Sequence, residues 1–238
     1  MKFRRNEAKE WARENLRGIW AAALTPFDPN TLAIDEAAVR RNFRHWMDDL
    51  KIDGFFVAGK QGEFFSLSIP ERKRVFEITM EETQGKAGAI LSCSDQNMDV
   101  VLELARHAEK AGADAVLIVT PYYNKPNQEG LYQHFKAIAE AVDIPVILYN
   151  VPGRTVADMS NDTIVRLAQI PGIVGVKDAT GNIARGIVPD AVRRQSQSAV
   201  GVAAFWVVVA LRTPRAEVAE GRALRGGNFT ARHPVPHK

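Results

Sequence analysis

The chain has 238 residues, 46% hydrophobic and 25% charged, the composition of an ordinary soluble globular protein. Its one cysteine, Cys93, excludes an internal disulfide and a cysteine-rich zinc site and fits a reducing compartment. The net charge of +3 is uneven: residues 187–238 hold eight basic residues, seven of them Arg, against three acids, which leaves 23 against 25 in residues 1–186, and a mildly acidic body argues against nucleic-acid binding.

The first seventeen residues, MKFRRNEAKEWARENLR, are charged throughout and have no apolar core. They are expected to form an N-terminal helical extension rather than a signal peptide. The longest apolar run, residues 199–211, has thirteen residues and is too short to span a bilayer. The expectation is a cytoplasmic protein without a membrane partner.

From residue 18 onward, strand-like apolar runs alternate with helical stretches. The runs are GIWAAALTPF (18–27), GFFVAG (54–59), AGAILSCS (87–94), AVLIVTP (115–121), PVILYN (145–150) and GIVGVKD (172–178). They are continuously apolar rather than alternating, the pattern of parallel strands covered on both faces. Between the first two runs, IDEAAVRRNFRHWMDDL has an acidic start and Ala38, Phe43, Trp46 and Leu50 near helical spacing. Next, SIPERKRVFEITMEET starts with Ser68 as an N-cap, Pro70 in the first turn and Glu71 three residues after the cap. NMDVVLELARHAEKAGA ends in Lys110 and Gly112, as helix C-termini do. NQEGLYQHFKAIAEAV and SNDTIVRLAQI complete the series.

Repeated strand–helix units demand right-handed crossovers and a parallel sheet. Six of them fit an open doubly wound sheet or most of an eight-stranded barrel. No G-x-G-x-x-G follows the first run, which disfavours a dinucleotide-binding sheet. The ends of the runs carry Thr25, Lys60, Thr120, Tyr149 and Lys177, and a barrel gathers such ends on one face. The fold expected is an α/β (β/α)8 TIM barrel, incomplete, with about six recognisable βα units in residues 18–186. Residues 187–238 form an atypical Arg/Ala/Val-rich tail, expected to be partly disordered.

Lys177 and Tyr149 end consecutive runs, and neighbouring parallel strands lie about 4.8 Å apart. An inward-facing tyrosine hydroxyl could therefore reach an inward-facing lysine amine. Burial lowers a lysine pKa and frees the amine to attack a ketone, while a phenol shuttles protons. Taken alone, a lysine at a strand end is commonly a solvated cap, and a buried tyrosine is commonly core. GKQGE (59–63) reads either as a tight turn or as a loop offering backbone N–H groups to a carboxylate. Arg154, four residues past the fifth run, could clamp a carboxylate. His45, His107 and His134 fall on helices with no metal-ligand spacing, and Cys93 reads as a small buried apolar residue.

In this order, ALTPF, G-x-x-G-E, VTPYYNKPNQEGLYQHFKAIAEAVDIPVILYNVPGRT and GVKDATGN resemble the dihydrodipicolinate synthase / N-acetylneuraminate lyase family over residues 18 to about 186. The resemblance implies a (β/α)8 barrel and a class I aldolase mechanism, with no metal and no organic cofactor. It makes Lys177 the Schiff-base lysine for pyruvate and Tyr149 the proton relay. Gly59, Lys60, Gln61, Gly62 and Glu63 would hold the pyruvate carboxylate, with Thr25 in the same substrate-binding set. Arg154 would bind the carboxylate of an aldehyde such as aspartate semialdehyde. Tyr123 would be the tyrosine lent across a tight dimer interface, in a homo-oligomer of two or four chains.

Two departures stand out. The synthase pattern in the second loop is G-T-T-G-E, and here Lys60 and Gln61 replace both threonines. A charged lysine does not relay protons as a hydroxyl does, which opens the alternative of a relative acting on another 2-oxo acid or sugar acid. The second departure is the tail, whose composition is that of a truncated or frame-shifted C-terminus; an unclosed barrel of this kind could also be catalytically inactive.

Overall fold

Each of the six apolar runs contributes one strand to a parallel sheet. In the computed structural model, which describes residues 5–182 and 203–205, the strands are β1 (Trp20–Ala22), β2 (Gly54–Val57), β3 (Gly88–Ser92), β4 (Ala115–Val119), β5 (Val146–Asn150) and β6 (Ile173–Asp178). A short seventh, β7 (Ala203–Phe205), pairs with β6. Spatial order follows chain order from β1 to β7, and every pair is parallel. The rest of the expected tail lies outside the described residues.

Helices α2 (Glu36–Asp48), α3 (Ile69–Thr83), α4 (Met98–Ala111), α5 (Gln128–Ala141), α6 (Pro152–Thr155) and α7 (Asn161–Leu167) fill the crossovers. Their limits follow local chemistry. Asp35 caps α2 by accepting from the Ala38 amide. At the start of α3, the Ser68 amide and hydroxyl both donate to Glu71, 2.9 and 2.7 Å away. Gly112 ends α4 in the left-handed conformation, where a Cβ is penalised. Among the described residues, no helix is long and apolar enough to cross a membrane.

The sheet is curled. In a flat sheet β2 and β6, four ladders apart, would be separated by about 19 Å. Here the Lys177 Nζ on β6 lies 4.1 Å from the ring centroid of Phe56 on β2. The curl divides the apolar residues into two layers. Outside, Phe43, Phe76, Leu104, Phe135 and Leu167 of the helices pack on Phe55, Leu91, Ile118, Leu148 and their neighbours. Inside, Phe56, Ile90, Leu117, Ile147 and Val174 form a second cluster with Ala8, Ala12 and Leu16. These last three belong to or follow α1 (Ala8–Asn15), which packs into the concave side. There Lys9 donates to the Ala168 carbonyl just before β6. The N-terminal helix is thus integral to the inner core. Its apolar positions, Ala8, Ala12 and Leu16, recur every four residues, the spacing that lines one helix face.

A single extra residue decides which way the end of β6 faces. Ile173 pairs with Val146, but Gly175 pairs with Ile147, so Val174 is inserted into the register. Ile173 and Val176 therefore both pack in the outer layer, while Val174 packs inside. Strict alternation from Ile173 would send Lys177 outward, under the helices. The inserted residue turns it inward, which is a common use of bulges near functional sites.

Candidate active site

The C-terminal ends of the strands converge on a cavity of about 220 Å3, lined by Lys60, Phe64, Phe65, Ser92, Ser94, Val119, Tyr122, Tyr149, Val151, Arg154 and Thr155. This is below the roughly 300–1,000 Å3 of pockets for drug-sized ligands and suits a small acid.

Lys177 sits beneath this cavity rather than on its lining. It is 5% exposed. Its Nζ lies 4.1 Å from the Phe56 ring centroid and 4.8 Å from that of Tyr149. The sequence suggested a hydroxyl–amine contact; the structure places the amine against the tyrosine's ring face instead. Burial, with no carboxylate partner among the described residues, disfavours the charged amine and lowers its pKa from 10.5 to about 8. The same burial raises the Tyr149 phenol above its usual value, and the nearby Arg154 charge opposes that rise. At the cavity the lysine ammonium thus gives up its proton more readily than an ordinary one, and the phenol keeps its proton.

The loop of residues 59–63 is shaped by strain and by close packing. Ala58 (φ 47°), just before it, and Glu63 (φ 54°), its last residue, lie in the left-handed region, an uncommon conformation for side-chain-bearing residues. Gly62 packs so tightly that a Cβ there would lie 2.9 Å from the Ala58 Cα. The Thr25 hydroxyl donates to the Gly62 carbonyl at 2.8 Å. Thr25 is therefore buried as a support of the loop and does not line the cavity. Within the loop, Glu63 and Phe64 donate their amides to the Lys60 and Gly59 carbonyls. The N–H groups of Lys60, Gln61 and Gly62 find no acceptor among the described residues. Free successive amides of this kind make an anion-binding concavity.

Arg154 lies on α6 and reaches the cavity from its rim. Its segment is held by Asn150, whose amide donates to Asp158 at 2.8 Å and accepts from the Met159 N–H at 3.1 Å. Tyr123 does not join the lining. It is 88% exposed, while its neighbour Tyr122 faces the cavity. Of the residues singled out in sequence, Lys60, Tyr149 and Arg154 line the cavity, Lys177 abuts Tyr149, and Gly59, Gln61, Gly62 and Glu63 form the adjoining loop. Phe64, Phe65, Ser92, Ser94 and Tyr122 were not foreseen as site residues. Position gave a signal for two of them, since Ser94 ends the third run and Tyr122 directly follows the proline that ends the fourth.

Arg72 is the other unforeseen part. It reaches from α3 to the end of β3, 2% exposed, and donates to the Ser92 and Ser94 carbonyls at 3.0 and 2.9 Å. Its guanidinium lies 5.3 Å from the Phe64 ring centroid and 3.4 Å from an Asp95 oxygen. One buried arginine thereby holds three pieces of the cavity wall.

Comparison with known proteins places the chain among relatives of known family. The profile of the Dihydrodipicolinate synthetase family matches residues 15–198. A 4-hydroxy-tetrahydrodipicolinate synthase of Nitrosomonas europaea is 57% identical over 170 residues, which is 71% of this chain and 57% of that protein. The Bartonella bacilliformis protein of the same name is 48% identical over 171 residues, 71% of this chain and 58% of its own length. The structure of a chloride-inhibited dihydrodipicolinate synthase from Acinetobacter baumannii, complexed with pyruvate, superposes with a TM-score of 0.72 at 41% identity, covering 79% of this chain and 62% of that one. The chain thus spans somewhat under two thirds of the length of the relatives it matches. By sequence, by sheet topology and by the profile match over most of its length, the chain belongs to the dihydrodipicolinate synthetase family.

Proposed function

We propose that the protein is a pyruvate-dependent class I lyase of the Schiff-base aldolase type, most like 4-hydroxy-tetrahydrodipicolinate synthase, which joins pyruvate to aspartate semialdehyde. The observation that carries this reading is the inward-facing, buried Lys177, with its pKa lowered to about 8 and Tyr149 against it. The neutral amine adds to C2 of pyruvate and water leaves, giving an iminium. The iminium is an electron sink, so C3 loses a proton and the resulting enamine attacks an aldehyde carbon. The chemistry therefore calls for no metal and no organic cofactor. Tyr149 supplies the proton that the aldehyde oxygen takes up, and water then cleaves the imine to free Lys177. The amides of the 59–62 loop hold the pyruvate carboxylate, and Arg154 holds that of the aldehyde.

Tyr123, exposed in the single chain, fits a residue lent to a second copy, which supports a homo-oligomer. The single buried cysteine fits a cytoplasmic setting, with small molecules rather than nucleic acid or membrane as partners. Lys60 favours a second reading, in which the acceptor is an aldehyde other than aspartate semialdehyde or the donor is another 2-oxo acid. An inactive homologue is the reading to be eliminated first. Borohydride reduction in the presence of pyruvate, followed by mass spectrometry, does this. The expected result is an adduct on Lys177 that is lost in Lys177→Ala; a folded sample without an adduct refutes the proposal.

A further inference from the structure

Arg154 owes its place to its backbone. It is exposed at the cavity rim, and its guanidinium has no hydrogen bond or ion pair among the described residues. Its charge still acts on the Tyr149 phenol, so the side chain overhangs the cavity. Helix α6, which carries it, has four residues and is too short to hold itself in place.

What fixes α6 is a ring of chain closed at Asn150. Successive side chains on a strand face opposite ways, so Tyr149 meets the cavity and Asn150 turns to the following segment. Asn150 is 0% exposed. Its Nδ2 donates to Asp158 Oδ1 at 2.8 Å and its Oδ1 accepts the Met159 N–H at 3.1 Å, which joins the two ends of residues 151–157. Inside the ring, the Thr155 hydroxyl donates to the Ala157 carbonyl at 3.0 Å, and Val156 is held at φ 56°. A left-handed conformation at a branched residue persists only where the surroundings impose it. From the far side, Gln128 on α5 donates to the Asp158 carbonyl at 2.7 Å and accepts the Ser160 amide at 2.9 Å. Gln128 is exposed and Asn150 is buried, and buried bonds engaging both ends of an amide are the costlier to lose.

We propose that Asn150 is a positioning residue for the carbon–carbon bond-forming step: by closing residues 151–159 onto the end of β5 it sets Arg154 over the cavity, and with it the affinity for the acceptor's carboxylate. This deepens the Schiff-base reading above and rests on it for the role of Arg154. The donor half is independent of the clip, because Lys177 lies on β6 and the loop assigned to the pyruvate carboxylate follows β2. The link from Asn150 to the β6 side is its backbone carbonyl, which accepts the Ala179 amide and survives a change of side chain.

The test breaks the clip from both ends. Asn150→Leu removes both amide bonds from the buried side. Asp158→Ala removes one from the exposed side, and Asp158→Asn restores the accepting oxygen. Circular dichroism verifies folding; if Asn150→Leu unfolds, Asp158→Ala carries the test. Two quantities are compared: the pyruvate concentration giving half-maximal borohydride labelling of Lys177, and KM for aspartate semialdehyde at saturating pyruvate. Asn150→Leu and Asp158→Ala should raise that KM about tenfold, the magnitude of one charge contact, with kcat and the pyruvate value within about twofold. Asp158→Asn should stay within about twofold of the native protein in all three. Arg154→Met should raise KM at least as much, and adding Asp158→Ala to it should change nothing further, since the clip acts through the arginine.

A second measurement needs neither imine nor turnover: calorimetric binding of succinate, a dicarboxylate, for which the same pattern across the variants is expected. Pyruvate and aldehyde values that shift together, an additive double variant, or succinate binding indifferent to Asp158→Ala overturns the inference and leaves the Schiff-base reading intact. The succinate pattern without labelling of Lys177 supports the inference and refutes the Schiff-base reading. The same pattern with labelling, but with no turnover of aspartate semialdehyde, supports the inference and assigns the protein another acceptor. Absence of both labelling and the succinate pattern refutes both.

Discussion

Lys177 and Tyr149 are register partners on adjacent parallel strands, and the lysine Nζ lies 4.8 Å from the tyrosine ring centroid. The amine thus rests on an aromatic face, with Phe56 on its other flank at 4.1 Å. Two ring faces favour the cation through their quadrupoles, yet burial outweighs them and the amine's pKa falls to about 8.

Imine formation should follow that titration. Only the neutral amine attacks, so the rate of pyruvate labelling should rise with pH and level off above about 8. At pH 8 about half the amine is neutral, against about 0.3% for a lysine at its ordinary pKa. Labelling rates measured from pH 6 to 10 test this; a rise continuing to pH 10 would mean that the amine is not desolvated.

The same burial lowers stability at neutral pH. Folded Lys177 releases its proton near pH 8 and the unfolded chain near 10.5, so the unfolded state binds more protons between these values. Stability therefore increases as pH rises through that window, by at most about 3 kcal/mol at 1.36 kcal/mol per pH unit. Lys177→Met, which keeps the stem and drops the charge, should raise the melting temperature at pH 7 and lose most of this pH dependence. Thermal unfolding at pH 7 and pH 10 is the measurement.

Tyr149→Phe separates the ring from the hydroxyl. The aromatic face under Lys177 stays, so a pyruvate adduct should still form under borohydride. Turnover with an aldehyde should fall by about 10²–10⁴-fold, the range for loss of a general acid. Equal loss of labelling and turnover would instead assign Tyr149 to pyruvate binding.

Arg72→Met should be costly although Arg72 does not line the cavity. It strands the Ser92 and Ser94 carbonyls, both now paired with a guanidinium nitrogen. A loss of about 3 kcal/mol is expected in urea denaturation, the size seen when buried partners go unpaired. Arg72→Lys, with one ammonium in place of the planar fork, should recover only part of it.

In the second loop, Gly62→Ala puts a methyl 2.9 Å from the Ala58 Cα and displaces the loop. Thr25→Val removes the hydroxyl that holds the Gly62 carbonyl, at a cost of about 1 kcal/mol. Both variants should weaken pyruvate labelling, Gly62→Ala the more strongly, as read from half-saturating pyruvate concentrations.

Much of this architecture was legible in the chain. Six apolar runs of strand length, separated by capped helices, announced a parallel sheet, and Ser68, Glu71 and Gly112 mark helix ends where the sequence placed them. The resemblance drew Lys177, Tyr149 and Arg154 together, and the fold gathers them at one end of the sheet. Other features were not legible. Arg72 reads as one more surface arginine on a charged helix, because nothing local says that its side chain reaches the end of β3. Tyr122 and Tyr123 are adjacent and chemically identical, and only the path of the loop sends one to the cavity and the other to solvent.

The sequence by itself determined the order of the strands, their parallel character and the limits of most helices. Those properties come from hydrophobic runs and capping residues acting over a few positions. Only the tertiary structure decided that Lys177 is a buried amine. Its orientation turns on the single inserted residue Val174, and its pKa on Phe56 and Tyr149, which lie far away in sequence and beside it only because the sheet curls. Desolvation is a sum over all atoms that exclude water from the amine, and that sum exists only once β2, β5 and β6 have come together.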